Sequence, residues 1–439
     1  MCIVTDPALA ATVQKTKSLS FNPIIPDVTQ RILGLDEPTV GILKMNIRRE
    51  NAADGFYPEV HDLVYSALTP GARLDDLVTR ATNVFEKHLL AYVSDSLPHP
   101  ETSQVEDLLQ WTQHVVTIAT ADFLYGPRNP IASDPSLEQA FWDFDHGLGR
   151  LLLFAGFAPS ITAYKAYKGR EALISALIKY FEQGRHESAS PLIRERIEIA
   201  KRYGMSLDGV ARSELSFIFA GIVNTAITSF WLILHIFARP ELLEAVRGEL
   251  HSCRTEDTSE AEYAKLETSA IVNDCPLLVS TYREVLRTGS DNSSNRLVTS
   301  DTLLADTYFL QKGSIVQISG AAMHLDERIW GEDVNEFDPY RFQPDKLKER
   351  SVHPSAFRAF GGGMTICPGR HFATREILYF VALFVLIFEM ESADGIELRV
   401  PGKKDNVLPV HILEPRDRVL VRVKRRQSNR QRGSVSMLR

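Results

Sequence analysis

Phe360-Gly-Gly-Gly-Met-Thr-Ile-Cys367-Pro-Gly369-Arg-His-Phe-Ala373 is the stretch on which the fold turns. One cysteine follows three glycines and precedes Pro-Gly and a helix-like segment, Arg370 to Met390. Glycines let a backbone pass close to a flat group and turn N–H groups toward the sulfur. A helix starting near Pro368 would set positive dipole beside that sulfur and lower its pKa. The pattern therefore points to a thiolate shaped as a metal ligand. Taken alone, it also fits a buried free cysteine beside a tight turn.

Bulk composition removes several classes of function. The 439 residues are 44% hydrophobic and 24% charged, as in soluble globular proteins, and the net charge is -7. No basic surface for nucleic acid is expected. The four cysteines, Cys2, Cys253, Cys275 and Cys367, form no CxxC pair, which suits a reducing compartment and excludes a Cys-rich zinc module. Met1 to Pro7 shows neither a signal-peptide pattern nor a membrane anchor. Leu215 to Phe237 is long enough to span a bilayer. It carries Ser216, Asn224, Thr225, Thr228, Ser229 and His235, which would be costly in lipid, so a buried central helix is expected.

Apolar spacings of three and four predict helices over Leu74–Val93, Arg194–Lys201, Leu207–Ala238 and Pro240–Cys253. Ser206 is the expected N-cap of the long helix, and Arg239-Pro240 its end. Arg296 to Ile318 is strand-like, with Tyr308 to Gly313 read as the turn between two strands. Pro409 to Val423 is strand-like again. Lys424 to Arg439 is basic and polar and is expected to be a disordered tail after one domain spanning 1–423.

Three further segments extend the cysteine motif. Phe360, Gly363, Cys367 and Gly369 match the F-x-x-G-x-x-x-C-x-G pattern of the cytochrome P-450 family, which the whole chain resembles. Glu284 and Arg287 match its E-x-x-R signature, and Phe337-Asp-Pro339-Tyr-Arg341-Phe342 resembles its P-x-R-F segment. At i and i+3 on a helix, Glu284 and Arg287 share a face. The resemblance implies that they form one buried ion cluster with Arg341 near the haem loop, rather than a surface pair. It also implies the family's mainly helical fold with a small β region, a haem cofactor, and Cys367 as the iron ligand. Thiolate donation pushes electron density onto haem iron and favours O–O cleavage.

Ala220-Gly221-Ile-Val223-Asn224-Thr225 aligns with the family's oxygen-binding stretch, where Ala220 and Gly221 would make room for dioxygen. The usual acid and threonine are replaced by Val223 and Asn224. Asn224 and Thr225 are the candidate catalytic residues, with two packed helix residues as the plainer alternative. Asn224 to Trp231 resembles the branch of sterol 7-alpha-hydroxylases and prostacyclin synthase, as do Met323-His324-Leu325-Asp326 and Ser293-Ser-Asn-Arg296. That branch holds monooxygenases and isomerases alike. Thr365 stands where a propionate-binding cation is usual. Arg296 is then the first candidate to bind the haem propionates, and His61 a weaker one. Ser290 to Asn295 and Asn406 to Val410 are expected to line the substrate pocket.

Ile3 to Pro7 and Ala8 to Lys15 resemble a late strand and helix of the family's opening region, so the chain is expected to begin inside the usual fold. A gene model short at its 5′ end is favoured, because lost strands would leave an unpaired edge. A natively short chain and a decayed copy are the alternatives. The family implies the endoplasmic reticulum membrane; without an anchor the chain would be cytoplasmic. The expected activity is insertion of one oxygen atom from O2 into a lipophilic small molecule of secondary metabolism (terpenoid, sterol-like or polyketide). An NADPH-dependent reductase would supply the electrons. A reductase-independent isomerase or dehydratase acting on a peroxide, and a non-functional remnant, are the rivals.

Overall fold

Leu207–Phe237 forms a single helix of 31 residues, and every residue from Thr225 to Phe237 is buried. A helix apolar on all sides can only sit inside other helices. Ser206 caps its first turn by accepting the Gly209 N–H at 3.1 Å. Arg239-Pro240 ends it and opens the next helix, Pro240–Ser252. In this computed structural model, residues 1–49, 54–99, 101–153, 158–253, 266–404 and 412–426 are described. Among them the central helix alone is long and apolar enough to cross a membrane, and 72% of its most apolar window is buried in the protein.

Leu108–Tyr125, Tyr164–Glu182 and Arg370–Ile387 pack on it, and Ala72–Ser96 packs on the first and last of these. The last of these carries the chain away from Cys367, and each residue from Glu376 to Ile387 is buried. The outcome is mainly helical with small sheets.

The strands run β1 Cys2–Val4, β2 Leu19–Ser20, β3 Ser103–Asp107, β4 Ser293–Val298, β5 Thr302–Leu304, β6 Tyr308–Leu310, β7 Ile315–Ser319, β8 Phe388–Ser392 and β9 Leu420–Arg425. One sheet has the order β1-β7-β4-β2, with β1 parallel to β7 and the other pairs antiparallel. β3-β9-β8 makes a second sheet, and β5-β6 a hairpin.

Two expectations need correction. Tyr308–Leu310 is not turn but strand β6, paired with β5. The bend falls earlier, at Ala305 and Asp306, both with positive φ. The remainder of the expected turn survives at Gly313, φ 84°. Lys424 and Arg425 are likewise not tail but the end of β9. Their sheet neighbour β8 is acidic, and Lys424 Nζ lies 2.8 Å from Glu391. Basic residues that look solvated in sequence are here cross-strand partners. Residues 427–439 lie outside the described residues.

The E-x-x-R helix, Pro276–Gly289, buries its signature completely. Glu284 accepts from Arg287 Nε at 2.8 Å and Nη2 at 2.7 Å, and from Arg341 Nε and the Asp338 N–H, each at 3.1 Å. Arg341 also donates to the Asp333 carbonyl at 2.8 Å. All three charged side chains are 0% exposed, so the surface-pair alternative fails. Removing the carboxylate strands Arg287 and leaves Arg341 with Asp333 alone. Glu284→Ala is expected to cost about 3–5 kcal/mol in urea unfolding followed by circular dichroism. A loss below about 1 kcal/mol would be that of an exposed pair.

Candidate functional site

Between the central helix and the Cys367 loop lies a cavity of about 360 Å³. The central helix contributes Phe217, Ala220, Gly221, Asn224, Thr225 and Thr228. Phe360, Gly361, Cys367, Pro368 and Gly369 form the opposite side, continued by Phe372, Ala373 and Glu376. Leu77, Phe123, Leu124, Leu192 and Leu286 give it apolar walls, and Cys367 is the one sulfur-bearing side chain among the described lining residues. Of the predicted substrate contacts, Ser290, Asn292, Ser293 and Ser294 line the cavity, whereas Asp291 and Asn295 do not. Asn406 to Val410 lie outside the described residues; Ile412 lines the cavity beside them.

The loop is held by its own backbone. The Cys367 N–H donates to the Phe360 carbonyl at 2.9 Å, and the Ile366 N–H to that of Gly363 at 3.1 Å. Gly361 and Gly363 adopt φ of 74° and 64°, which side-chain-bearing residues rarely tolerate. Gly363 therefore shapes the loop without lining the cavity. The following helix begins at Arg370 with Gly369 as cap, rather than at Pro368. Burial pushes the Cys367 thiol up, against the opposing pull of the Gly369 and Arg370 N–H groups and the Arg370 charge. The expected lowering by the helix end is thus outweighed by desolvation.

Cations gather on one flank of this loop. Arg296 donates to the Asn295 carbonyl at 2.8 Å and to the Thr365 hydroxyl. Arg358, which the sequence did not single out, is 1% exposed and has an unpartnered Nε. Burial and the Arg296 charge push its pKa down to about 10. Among the described residues neither guanidinium has a carboxylate partner. Two adjacent buried cations are costly unless an anion joins them. His61 stacks on Tyr65 at 4.3 Å and lies 3.2 Å from Asp62. It is Tyr65 that reaches the loop, donating to the Ile366 carbonyl.

On the central helix, the Asn224 Oδ1 accepts the Ile412 N–H at 3.1 Å. Its carbonyl thus ties the helix to the far wall, and its NH2 has no hydrogen-bond partner among the described residues. Thr225 directs its hydroxyl toward Glu376 Oε2 at 3.5 Å. Val223 is 0% exposed and absent from the lining. Gly221 also serves packing, since a Cβ there would stand 3.3 Å from Thr120.

Residues 154–411, more than half the chain, match the family description Cytochrome P450. A cytochrome P450 monooxygenase of Gibberella zeae is 30% identical over 90% of this chain and 73% of its own. The cytochrome P450 monooxygenase nodJ of Hypoxylon pulicicidum is 33% identical over 73% of this chain, which spans 63% of that relative's length. Cytochrome P450 7A1 of Rattus norvegicus is 28% identical over 57% of this chain and 52% of its own. In structure, retinoic-acid-bound cyanobacterial CYP120A1 superposes with a TM-score of 0.70, covering 97% of this chain and 89% of its own at 20% identity.

The chain belongs to the cytochrome P450 family. Haem is the cofactor of that family, and the side chains present fit it. Among the described lining residues Cys367 carries the one sulfur, and Arg296 and Arg358, without a carboxylate partner among the described residues, bear the charge that the two carboxylates of the haem rim would need.

Two outcomes follow from these contacts. Arg296→Leu and Arg358→Leu are each expected to speed haem loss to an apo-globin acceptor by about 10–100-fold, the worth of one charged hydrogen bond. Unchanged rates would place the haem carboxylates elsewhere. The second outcome concerns His324, whose Nε2 accepts the Arg358 N–H at 2.8 Å. Burial and then the Arg287 charge push its pKa down from 6.5 to about 4. Below pH 6.5 the unfolded chain takes up this proton, whereas the folded chain does so only below about 4. Stability is therefore lost as pH falls through that window, by on the order of 3 kcal/mol. Urea titrations at about pH 7 and about pH 5 should show a smaller acid loss in His324→Gln. Equal losses would remove His324 as the cause.

Proposed function

We propose that this protein is a haem-thiolate monooxygenase that inserts one oxygen atom of O2 into a lipophilic small molecule. The observation that carries this is the single cavity sulfur, Cys367, set opposite the small and polar side chains of the central helix. Cys367 is assigned as the iron ligand, and Arg296, Arg358 and Thr365 as the residues that hold the haem carboxylates. Haem bound there supplies activation of O2 and the electron push of its thiolate.

The protein's own residues do the rest. Apolar walls hold the substrate's hydrocarbon and exclude water, which protects reactive oxygen from wasteful reduction. Ser290 and Ser293, near the Ile412 wall, offer hydroxyls to orient one polar group of the substrate. Asn224 and Thr225 are assigned to the oxygen side, where the amide NH2 and the hydroxyl can order water.

The fungal relatives named as monooxygenases and the hamster cholesterol 7-alpha-monooxygenase, 29% identical over 57% of this chain, support a terpenoid, sterol-like or polyketide substrate. Electrons are assigned to an NADPH-dependent reductase. The endoplasmic reticulum membrane is the proposed location by family analogy alone.

The test is turnover of purified, haem-loaded protein against a panel of such compounds, with and without reductase and NADPH. Oxygenated product carrying one atom of labelled O2 is expected only with both. Product formed from a hydroperoxide without reductase would instead make the protein an isomerase or dehydratase. In the same preparation Cys367→Ala should lose the red-shifted Soret band of the reduced carbon monoxide complex.

A further inference from the structure

Two of the four cysteines meet. Cys253 Sγ lies 3.0 Å from Cys275 Sγ, across 22 residues of sequence. Cys253 is 6% exposed and Cys275 0%, whereas Cys2 in β1 and Cys367 at the cavity are only partly buried. The spacing of the pair carries no motif that announces the contact. A buried thiol can pack as a small hydrophobe, but packing needs no second sulfur beside it. Disulfide sulfurs stand about 2.05 Å apart, so an approach of about 1 Å separates this contact from a bond.

The two thiols sit at a joint between helices. Cys253 caps the end of Pro240–Ser252, and Cys275 caps the start of the E-x-x-R helix, Pro276–Gly289. The first helix already holds the start of the second. Its Glu249 carboxylate accepts the Leu277 N–H at 2.8 Å and the Leu278 N–H at 3.0 Å. The Cys253 thiol also lies 3.8 Å from the Ala270 carbonyl, in the short helix Thr268–Asp274. Burial, then hydrogen bonding to Cys253, pushes the Cys275 thiol up, and the Glu249 and Asp274 charges push the same way. The N-terminal end of its helix opposes them by favouring a thiolate. Thiols so buried ionise slowly, and the pair yields to sustained oxidant rather than to a brief exposure.

We propose that Cys253 and Cys275 form a reversible dithiol–disulfide site, oxidised by a hydroperoxide, that locks Pro240–Ser252 to the start of the E-x-x-R helix. The proposal goes beyond the monooxygenase reading and does not depend on it. Cys253, the more exposed thiol, attacks the terminal oxygen of the hydroperoxide R′OOH. An S–O bond forms, the O–O bond breaks, and the leaving oxygen takes the thiol proton to depart as R′OH. Cys275 then attacks the sulfenic sulfur. The S–S bond forms, the S–O bond breaks, and the hydroxyl leaves as water with the Cys275 proton. The sum is two thiols + R′OOH → disulfide + R′OH + H2O, with two electrons passing from the sulfurs to the peroxide. A dithiol reductant restores both thiols by exchange. In a reducing compartment such a bond is transient and follows the oxidant load. While it lasts, it restrains the joint from which the helix of Glu284 and Arg287 begins.

The test treats the haem-loaded full chain with hydrogen peroxide, blocks the remaining thiols in denaturant and maps the peptides by mass spectrometry. Peptides joined through Cys253 and Cys275 should appear, vanish with dithiothreitol and persist in Cys2→Ser. Oxidised glutathione gives the same readout where peroxide bleaches the haem. If neither oxidant yields the joined peptides, the proposal is overturned and the two thiols merely pack. Cys275→Ser should leave Cys253 as a sulfenic acid, trapped by dimedone at least about five-fold more than in wild type. No gain in trapping overturns the assigned order of attack. Should that variant fail to fold, the wild-type peptide map decides alone. The lock has its own readout. Amide exchange at Leu277 and Leu278 should slow by about ten-fold or more in the oxidised protein, and equal exchange in both forms overturns it. The carbon monoxide spectrum stands apart, since loss of its thiolate band would sink the iron-ligand reading and leave the joined peptides as they are.

Discussion

The Glu284 carboxylate, closed off from water and accepting four hydrogen bonds, is the contact on which the site depends. Arg287 shares its helix, but Arg341 and the Asp338 N–H arrive from the segment beyond β7. One carboxylate therefore fixes how that segment folds back over the helix. The restraint is relayed. Arg287 Nη1 donates to the His324 carbonyl at 2.7 Å, and the His324 ring accepts the Arg358 N–H. Two residues later, Phe360 begins the loop that carries Cys367. A buried ion cluster is weak evidence for stability on its own account, since its desolvation is costly. Its evident service here is registry: it sets the cysteine loop against the central helix.

That relay also explains an electrostatic imbalance. Arg287 and Arg341 are compensated by Glu284 and Asp333, while Arg296 and Arg358 have no carboxylate among the described residues. His324 stands between the two groups and must remain neutral, because a third cation there would oppose both. The protein holds charge that its own fold does not satisfy, which is a common cost of a binding site. On the opposite side of the cavity the imbalance takes another form: burial pushes the Glu376 carboxyl up to about 8, and no cation among the described residues opposes it.

What could be read in advance was local or periodic. The Cys367 motif is contiguous, and its glycines announce the backbone they need. Glu284 and Arg287 fall on one helical face by spacing alone, and the long apolar run from Leu215 declares a buried helix. The harder features join distant segments. Glu376 meets Thr225 across 151 residues, Asn224 meets Ile412 across 188, and Arg358 gains its meaning from Arg296. A signal existed for the first: a carboxylate amid Ile377, Leu378 and Phe380 should prompt the question of its partner. Strand β6, Tyr308–Leu310, is too short for its alternation to outweigh the turn residues around it. Lys424 looks solvent-facing in sequence because its acidic partner, Glu391, lies on another strand.

Asn224 shows how one residue can carry a constraint that its position in a motif conceals. On the central helix a threonine would hold its hydroxyl near its own backbone, whereas the longer amide crosses the cavity to the Ile412 N–H. Ile412 is bridged in turn to Ser290, at the end of the Glu284 helix. The wall that faces substrate is thereby tied both to the oxygen-side helix and to the helix of the ion cluster. A substitution that frees Asn224 would loosen the wall as well as the helix, so the two sides of the cavity are coupled through one amide.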